Sequence, residues 1–264
     1  METIFTIAER CLNLSEPEAK CWATEAAFQA WSAGELTFED NSSPSPIGEP
    51  GRPARPELVA PRDLRQRKTG SKEGHAALIH SITHIEFNAV NLAWDAVYRF
   101  RGMPKQYYSD WIKVASEEAY HFGLLREHLR TLGYDYGDFP AHNGLWEMAQ
   151  QTAHDGMVRM ALVPRVLEAR GLDVTPGMIK RLKQQGDHRA VDILDIILRD
   201  EIGHVEIGTR WFRYHCEQRG IDSEKIFAEL LVQYMNGAVR GPFHYAARKQ
   251  AGFTEAEMNM LEGE

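Results

Sequence analysis

Cysteine is scarce in this chain of 264 residues: only Cys11, Cys21 and Cys216 occur. An odd number without paired short spacings excludes a disulfide framework or a zinc ribbon, and predicts reduced thiols in a cytoplasmic protein. A run of roughly 20 apolar residues, long enough for a membrane-spanning helix, is missing too, so no membrane partner is expected. The start, Met1-Glu2-Thr3-Ile4, lacks the basic region of a signal peptide. Nor is there an excess of positive charge. A formal net charge of −8 excludes a surface that attracts nucleic acid generally. What the chain does have is 43% hydrophobic residues, enough for one large core or a bundle with appendages.

Helical periodicity runs through most of the sequence and predicts an all-α fold in four stretches. In residues 1–40, Ile4, Ile7, Ala8 and Cys11 mark a first helix. Ser15-Glu16-Pro17-Glu18 supplies the start of a second, running to about Ser32. Residues 41–71 change character: Pro44, Pro46, Pro50, Pro53, Pro56 and Pro61 preclude a continuous helix. This stretch also carries Arg52, Arg55, Arg62, Arg65, Arg67 and Lys68, with Lys72 just beyond. Aromatic residues for base stacking are absent from it, which favours an extended arm wrapping the bundle over an RNA contact.

Residues 72–220 read as four helices: Lys72 to Arg101, Tyr107 to Gly133, one from Leu145, and His188 to Arg219. The segment 134–144 is too long for a tight turn and suits a crossover. Pro164, one turn before Glu168, predicts a kink in the third helix. The run Gly171-Leu172-Asp173-Val174-Thr175-Pro176-Gly177 predicts a break, with Met178 to Gln185 as a separate short helix. Residues 221–264 supply a further helix from Ser223, interrupted at Gly241-Pro242-Phe243, and a tail packing on the bundle.

Two short motifs carry the chemistry. Glu118 and His121 share one helix face, as do Glu201 and His204, because residues three apart lie one turn from each other. One such pair arises readily by chance, so the surroundings decide. The first pair lies on the apolar stripe Trp111, Val114, Leu125 and Leu132; the second lies on Val191, Leu194, Ile197, Gly208 and Trp211. A carboxylate pointing into a core must be protonated, ion-paired or bound to a cation. Glu86 stands 32 residues before Glu118 and Glu168 stands 33 before Glu201. That distance suits two antiparallel helices whose acids return to one level. Four carboxylates and two imidazoles then carry a charge that two divalent ions would cancel. The alternative is a metal-free buried polar network.

This layout resembles the ferritin-like di-iron carboxylate fold, where a Glu from each of two helices joins a Glu-x-x-His from each of two others. More narrowly, His84-Ile85-Glu86, Glu117-Glu118-Ala119-Tyr120-His121, Glu168-Ala169-Arg170-Gly171-Leu172-Asp173 and Asp200-Glu201-Ile202-Gly203-His204 are similar to the ferritin-like family of domain-of-unknown-function 455. The resemblance spans roughly residues 70 to 250. It implies a ferritin-like four-helix bundle with a long crossover, to which the N-terminal helices, proline-rich arm and C-terminal helix are additions.

It also implies two iron ions, or manganese or a mixed pair, held by Glu86, Glu118, His121, Glu168, Glu201 and His204. Dioxygen would be co-substrate, with an electron donor and an organic substrate to be hydroxylated. By the same resemblance Asp200 would bond the outer nitrogen of His121, and Glu117 that of His204; exposed surface acids are the alternative. Apolar helical surfaces in this fold often pair, which suggests a homodimer. Other classes stay open at this point: a tRNA-modifying hydroxylase, iron handling without substrate oxidation, or a structural metal. His80 and His84, four residues apart, could line a pocket but fall off the Glu86 stripe, and His75, His128 and His215 read as surface or core-edge residues. Tyr120 should face away from its neighbour His121.

Overall fold

The computed structural model describes residues 2–39, 43–65, 67, 70–235, 239 and 241–262; Lys68, one of the basic residues of the arm, lies outside them. The fold is all-helical. Among the described residues the only β-type pairings are two isolated bridges, Thr3 with Thr37 and Leu58 with Ala141. Two compact units divide the chain, 1–147 and 148–264. Their boundary falls within the span 72–220 read as one bundle, inside the short helix α5 (Gly144–Gln151).

The first unit is built on a long helical hairpin. Helix α3 (Lys72–Arg99) starts where the Ser71 hydroxyl accepts the Gly74 N–H at 3.0 Å, and α4 (Lys105–Thr131) follows after Gly102, at φ +73°, and Pro104. The turn needs that positive φ, which glycine adopts without a Cβ clash. Helix α3 ends two residues earlier than its periodicity suggests, and α4 begins two earlier. Val90, Ala93, Trp94 and Val97 are fully buried along α3; burying an aliphatic side chain contributes about 1.5–3 kcal/mol. Helix α1 (Ile4–Asn13) packs against α3, and α2 (Pro17–Ser32) against α4.

The proline-rich arm stays in this unit. A three-residue 3₁₀ turn at Pro61–Asp63 is its one helical piece among the described residues. Leu58 bridges to Ala141 of the crossover, with Val59 N–H donating to the Ala141 carbonyl and Ala141 N–H to the Glu57 carbonyl, both at 2.9 Å. Gly51 N–H donates to the Leu12 carbonyl, and Trp146 Nε1 to the Gly48 carbonyl. Backbone pairing of this kind, without regular structure, is what proline leaves available.

The second unit corrects the expected third helix. Instead of one helix from Leu145, α5 stops and α6 (Gly156–Leu162) restarts under an Asp155 cap. A π-helix follows at Val163–Glu168, so Pro164 sits in a widened turn rather than a simple kink. Helix α7 (Ala169–Gln184) then runs unbroken through Gly171, Pro176 and Gly177, where a break and a separate helix were expected. A proline inside a helix costs about 3 kcal/mol. Packing offsets it: Ala169, Leu172, Asp173, Thr175 and Leu182 are buried, and Asp173 receives Arg248 at 2.7 and 2.9 Å. Helix α8 (His188–Arg219) matches its expected bounds, capped by Asp187 and ended by Gly220 at φ +63°. Helices α9 (Ser223–Met235), α10 (Tyr245–Gln250) and α11 (Glu255–Glu262) complete the unit. No described helix is long and apolar enough to cross a membrane.

Candidate metal centre

In the first unit, Glu86 on α3 meets Glu118 and His121 on α4. All three side chains are buried, at 3%, 1% and 0% exposure. His121 Nδ1 lies 3.2 Å from Glu86 Oε2 and 3.4 Å from Glu118 Oε2. One ligand atom from each residue thus falls within 4.8 Å of the others. Burial pushes the Glu86 carboxyl well above its ordinary pKa, the Glu118 charge adds to that, and His121 works against it. Two carboxylates and one imidazole nitrogen converging in a buried site form a donor set that fits a first-row divalent ion.

The second unit repeats part of this pattern. Glu201 and His204 project from α8, with 3.8 Å between Oε1 and Nδ1, and His204 is fully buried. Glu168 is the last residue of the π-helix and is half-buried. Among the described residues, this unit by itself brings no three such ligand atoms as close together as the first does. The π-helix lies tight on α8: a Cβ at Gly208 would collide with Pro164 Cβ and Cγ.

The model of the family described as "Protein of unknown function (DUF455)" matches residues 13–259. The chain belongs to the DUF455 family. A protein of Haemophilus influenzae (strain ATCC 51907 / DSM 11121 / KW20 / Rd), described as uncharacterized, is 53% identical over 216 residues, covering 79% of this chain and 75% of that one. No solved structure matches the chain. The DUF455 span contains all six candidate ligands.

The two acids expected to orient the histidines have partners nearby. Asp200 accepts Arg199 Nε and Nη2 at 2.9 and 3.1 Å. Glu117 lies 2.8 Å from Lys113 Nζ. Sequence reasoning underrated another set in this DUF455 chain. His80 and His84 are buried, and His84 bridges the Tyr136 hydroxyl at 2.9 Å and the His142 carbonyl at 3.1 Å. Burial pushes both imidazoles down to about 4. The Tyr136 ring packs against Phe87 and Phe122, which directly follow Glu86 and His121. The crossover carrying Tyr136 is fixed by Asp135, which binds Arg126 at 2.7 Å and Arg130 at 3.1 Å. Tyr136 had no periodic signal in the sequence because it sits in this irregular segment.

His128 proves buried rather than at the core edge. Tyr120 is 56% exposed and does face away from His121. It lines an open groove of about 430 Å³ with Cys21, Glu25, Ser116, Ala119, Gly123 and others. On α4 those positions lie opposite Glu118, His121 and Leu125, since each residue advances about 100° around a helix. The groove therefore offers no direct approach to the buried carboxylates.

Proposed function

We propose that this DUF455 protein is a ferritin-like dinuclear metal carboxylate oxidoreductase that uses dioxygen to hydroxylate an organic substrate. The observation that carries the reading is the buried convergence of Glu86, Glu118 and His121 on one helical hairpin. The repeated sequence pattern Glu168, Glu201 and His204 supplies the other half of the ligand set.

Iron suits the mixed nitrogen and oxygen donors, with manganese or a mixed pair also compatible. Two such ions, when bound, would supply the two electrons that dioxygen reduction needs, replenished by an external donor. The chain's own residues then have definable tasks. The imidazoles of His121 and His204 donate neutral nitrogen, while the carboxylates balance the ionic charge. Phe87, Phe122 and Tyr136 pack on one another as an apolar cluster next in sequence to Glu86 and His121, which in this reading limits the access of water.

Charge favours a small molecule over RNA as substrate. In the arm, Arg52 is engaged with Glu49 and Asn143, and Arg67 with Glu73, while Arg55, Arg62 and Arg65 are exposed. The net charge of −8 disfavours a polyanion. The reading is tested by loading the protein with ferrous iron anaerobically, then recording dioxygen uptake with a chemical reductant. The parent should take up dioxygen faster than iron and reductant alone, and Glu118→Ala should not. Equal rates would reject an oxygen-activating site.

A further inference from the structure

The segment that presents Glu168 is a π-helix, a rare element whose i→i+5 hydrogen bonds take in about one residue more per turn than an α-helix. Something must keep that extra residue in place. If the segment relaxed to α geometry, every side chain after it would rotate by about 100°, Glu168 included. Three contacts hold it within the second unit. Pro164 fills the space left by the missing Cβ of Gly208 on α8. Arg165 Nε donates to Thr209 Oγ1 on α8 at 3.3 Å. Arg165 Nη2 pairs with Glu257 Oε1 on α11 at 2.5 Å, both side chains being fully buried.

The ion pair gives up the hydration of both charges, a cost that the aromatic faces around the guanidinium offset only in part. The guanidinium carbon stands 4.8, 4.2 and 4.6 Å from the ring centres of Phe212, Phe227 and Phe253. In such an aromatic cage a hydrocarbon side chain would pack with no desolvation penalty, and buried ion pairs are often replaceable that way without loss of stability. What hydrocarbons do not supply is a unique register. Glu257 is itself anchored: its Oε2 accepts the Thr254 N–H at 3.0 Å, and its own N–H donates to Thr254 Oγ1.

We propose that Glu257 is a positioning residue for the metal centre, fixing the register of the π-helix through Arg165 so that Glu168 is presented as a ligand. This rests on the dinuclear reading above. It assigns a task to the C-terminal helix, which carries none of the candidate ligands.

The test is titration of the purified full-length apoprotein with cobalt(II), following the visible absorption of the bound ion and the number bound per chain. The parent should bind two ions. Glu257→Gln keeps the side-chain volume but removes the charge. It should retain one ion, bind the second about tenfold more weakly or worse, as outer-shell changes at metal sites do, and alter the absorption band. Glu168→Gln should match it, while Lys249→Gln, on the exposed side of α10, should not.

If Glu257→Gln does not fold, the double variant Arg165→Met/Glu257→Leu, which fills the cage with hydrocarbon, decides instead. Folded protein with a weakened second ion supports the proposal. Folded protein, in either variant, that binds two ions with the parental affinity and spectrum overturns it. A parent that binds fewer than two ions overturns the dinuclear reading, and the proposal with it.

Discussion

A buried lysine gives the sharpest quantitative prediction. Lys20 of α2 is fully buried, with Nζ donating to the Leu12 carbonyl at 3.0 Å and to Asn91 Oδ1 at 2.5 Å. Two acceptors match the two N–H bonds of a neutral amine. The Phe87 ring lies 5.5 Å away, and the nearby ionisable groups are the thiols of Cys11 and Cys21. Burial pulls the amine down from 10.5 to about 7, against the smaller opposing pull of those thiols. Between these two values the unfolded chain binds a proton at this site that the folded protein does not, so stability rises with pH.

The penalty for burying Lys20 is about 4 kcal/mol at pH 7 and about 2 kcal/mol at pH 9, because a tenfold change in proton affinity corresponds to about 1.36 kcal/mol. The assay is urea denaturation of the parent and of Lys20→Met at pH 7, 8 and 9. Relative to the variant, the parent should gain about 2 kcal/mol across that range. Staying at or below pH 9 matters because burial raises both thiols to about 11. The unfolded thiols ionise from about pH 8 upward, ahead of the folded ones, and stability falls for that separate reason, which is common to parent and variant and largely cancels in their difference. A parent-minus-variant difference that is flat with pH, or that moves against the parent as pH rises, would refute a neutral Lys20.

Other substitutions test the packing of the second unit. Gly208→Ala drives a methyl group into Pro164 and should cost about 1–3 kcal/mol, read as a lower midpoint in thermal denaturation. Asp173→Ala leaves the fully buried Arg248 guanidinium without its ion-pair partner and should cost about 3–5 kcal/mol; a loss below about 1 kcal/mol would mean that the pair does little. In the first unit, Gly51→Ala drives a Cβ into the Asn13 carbonyl oxygen. Limited proteolysis should then cut the arm faster than in the parent, with α3 and α4 still protected.

The long helices were legible because periodicity and end signals agreed over many turns. Ser71 and Asp187 cap α3 and α8, and Gly220 ends α8 where a left-handed residue is needed. The close meeting of Glu86 with Glu118 and His121 followed from the antiparallel hairpin and its spacing. The α5–α7 run was misread because local signals lost to tertiary ones. Pro176 and two glycines argue for a break, yet the Asp173–Arg248 pair, 75 residues apart in sequence, holds α7 together.

The π-helix has no reliable sequence signature, and the Arg165–Glu257 pair, 92 residues apart, leaves no periodic trace. Lys20 did leave one: Lys20, Thr24, Ala27 and Trp31 form the buried stripe of α2. A lysine on that stripe marks a desolvated amine. The helix was identified, but that position in it was passed over.

The central claim is most directly tested by counting metal. Protein purified without chelator, and again after anaerobic ferrous loading, is measured by elemental analysis beside folded Glu118→Ala and Glu201→Ala variants. The account predicts about two irons per chain in the parent, the number that cancels four carboxylate charges, with loss in both variants while helical content persists. No specific uptake by the parent, or equal metal in parent and variants, would contradict it.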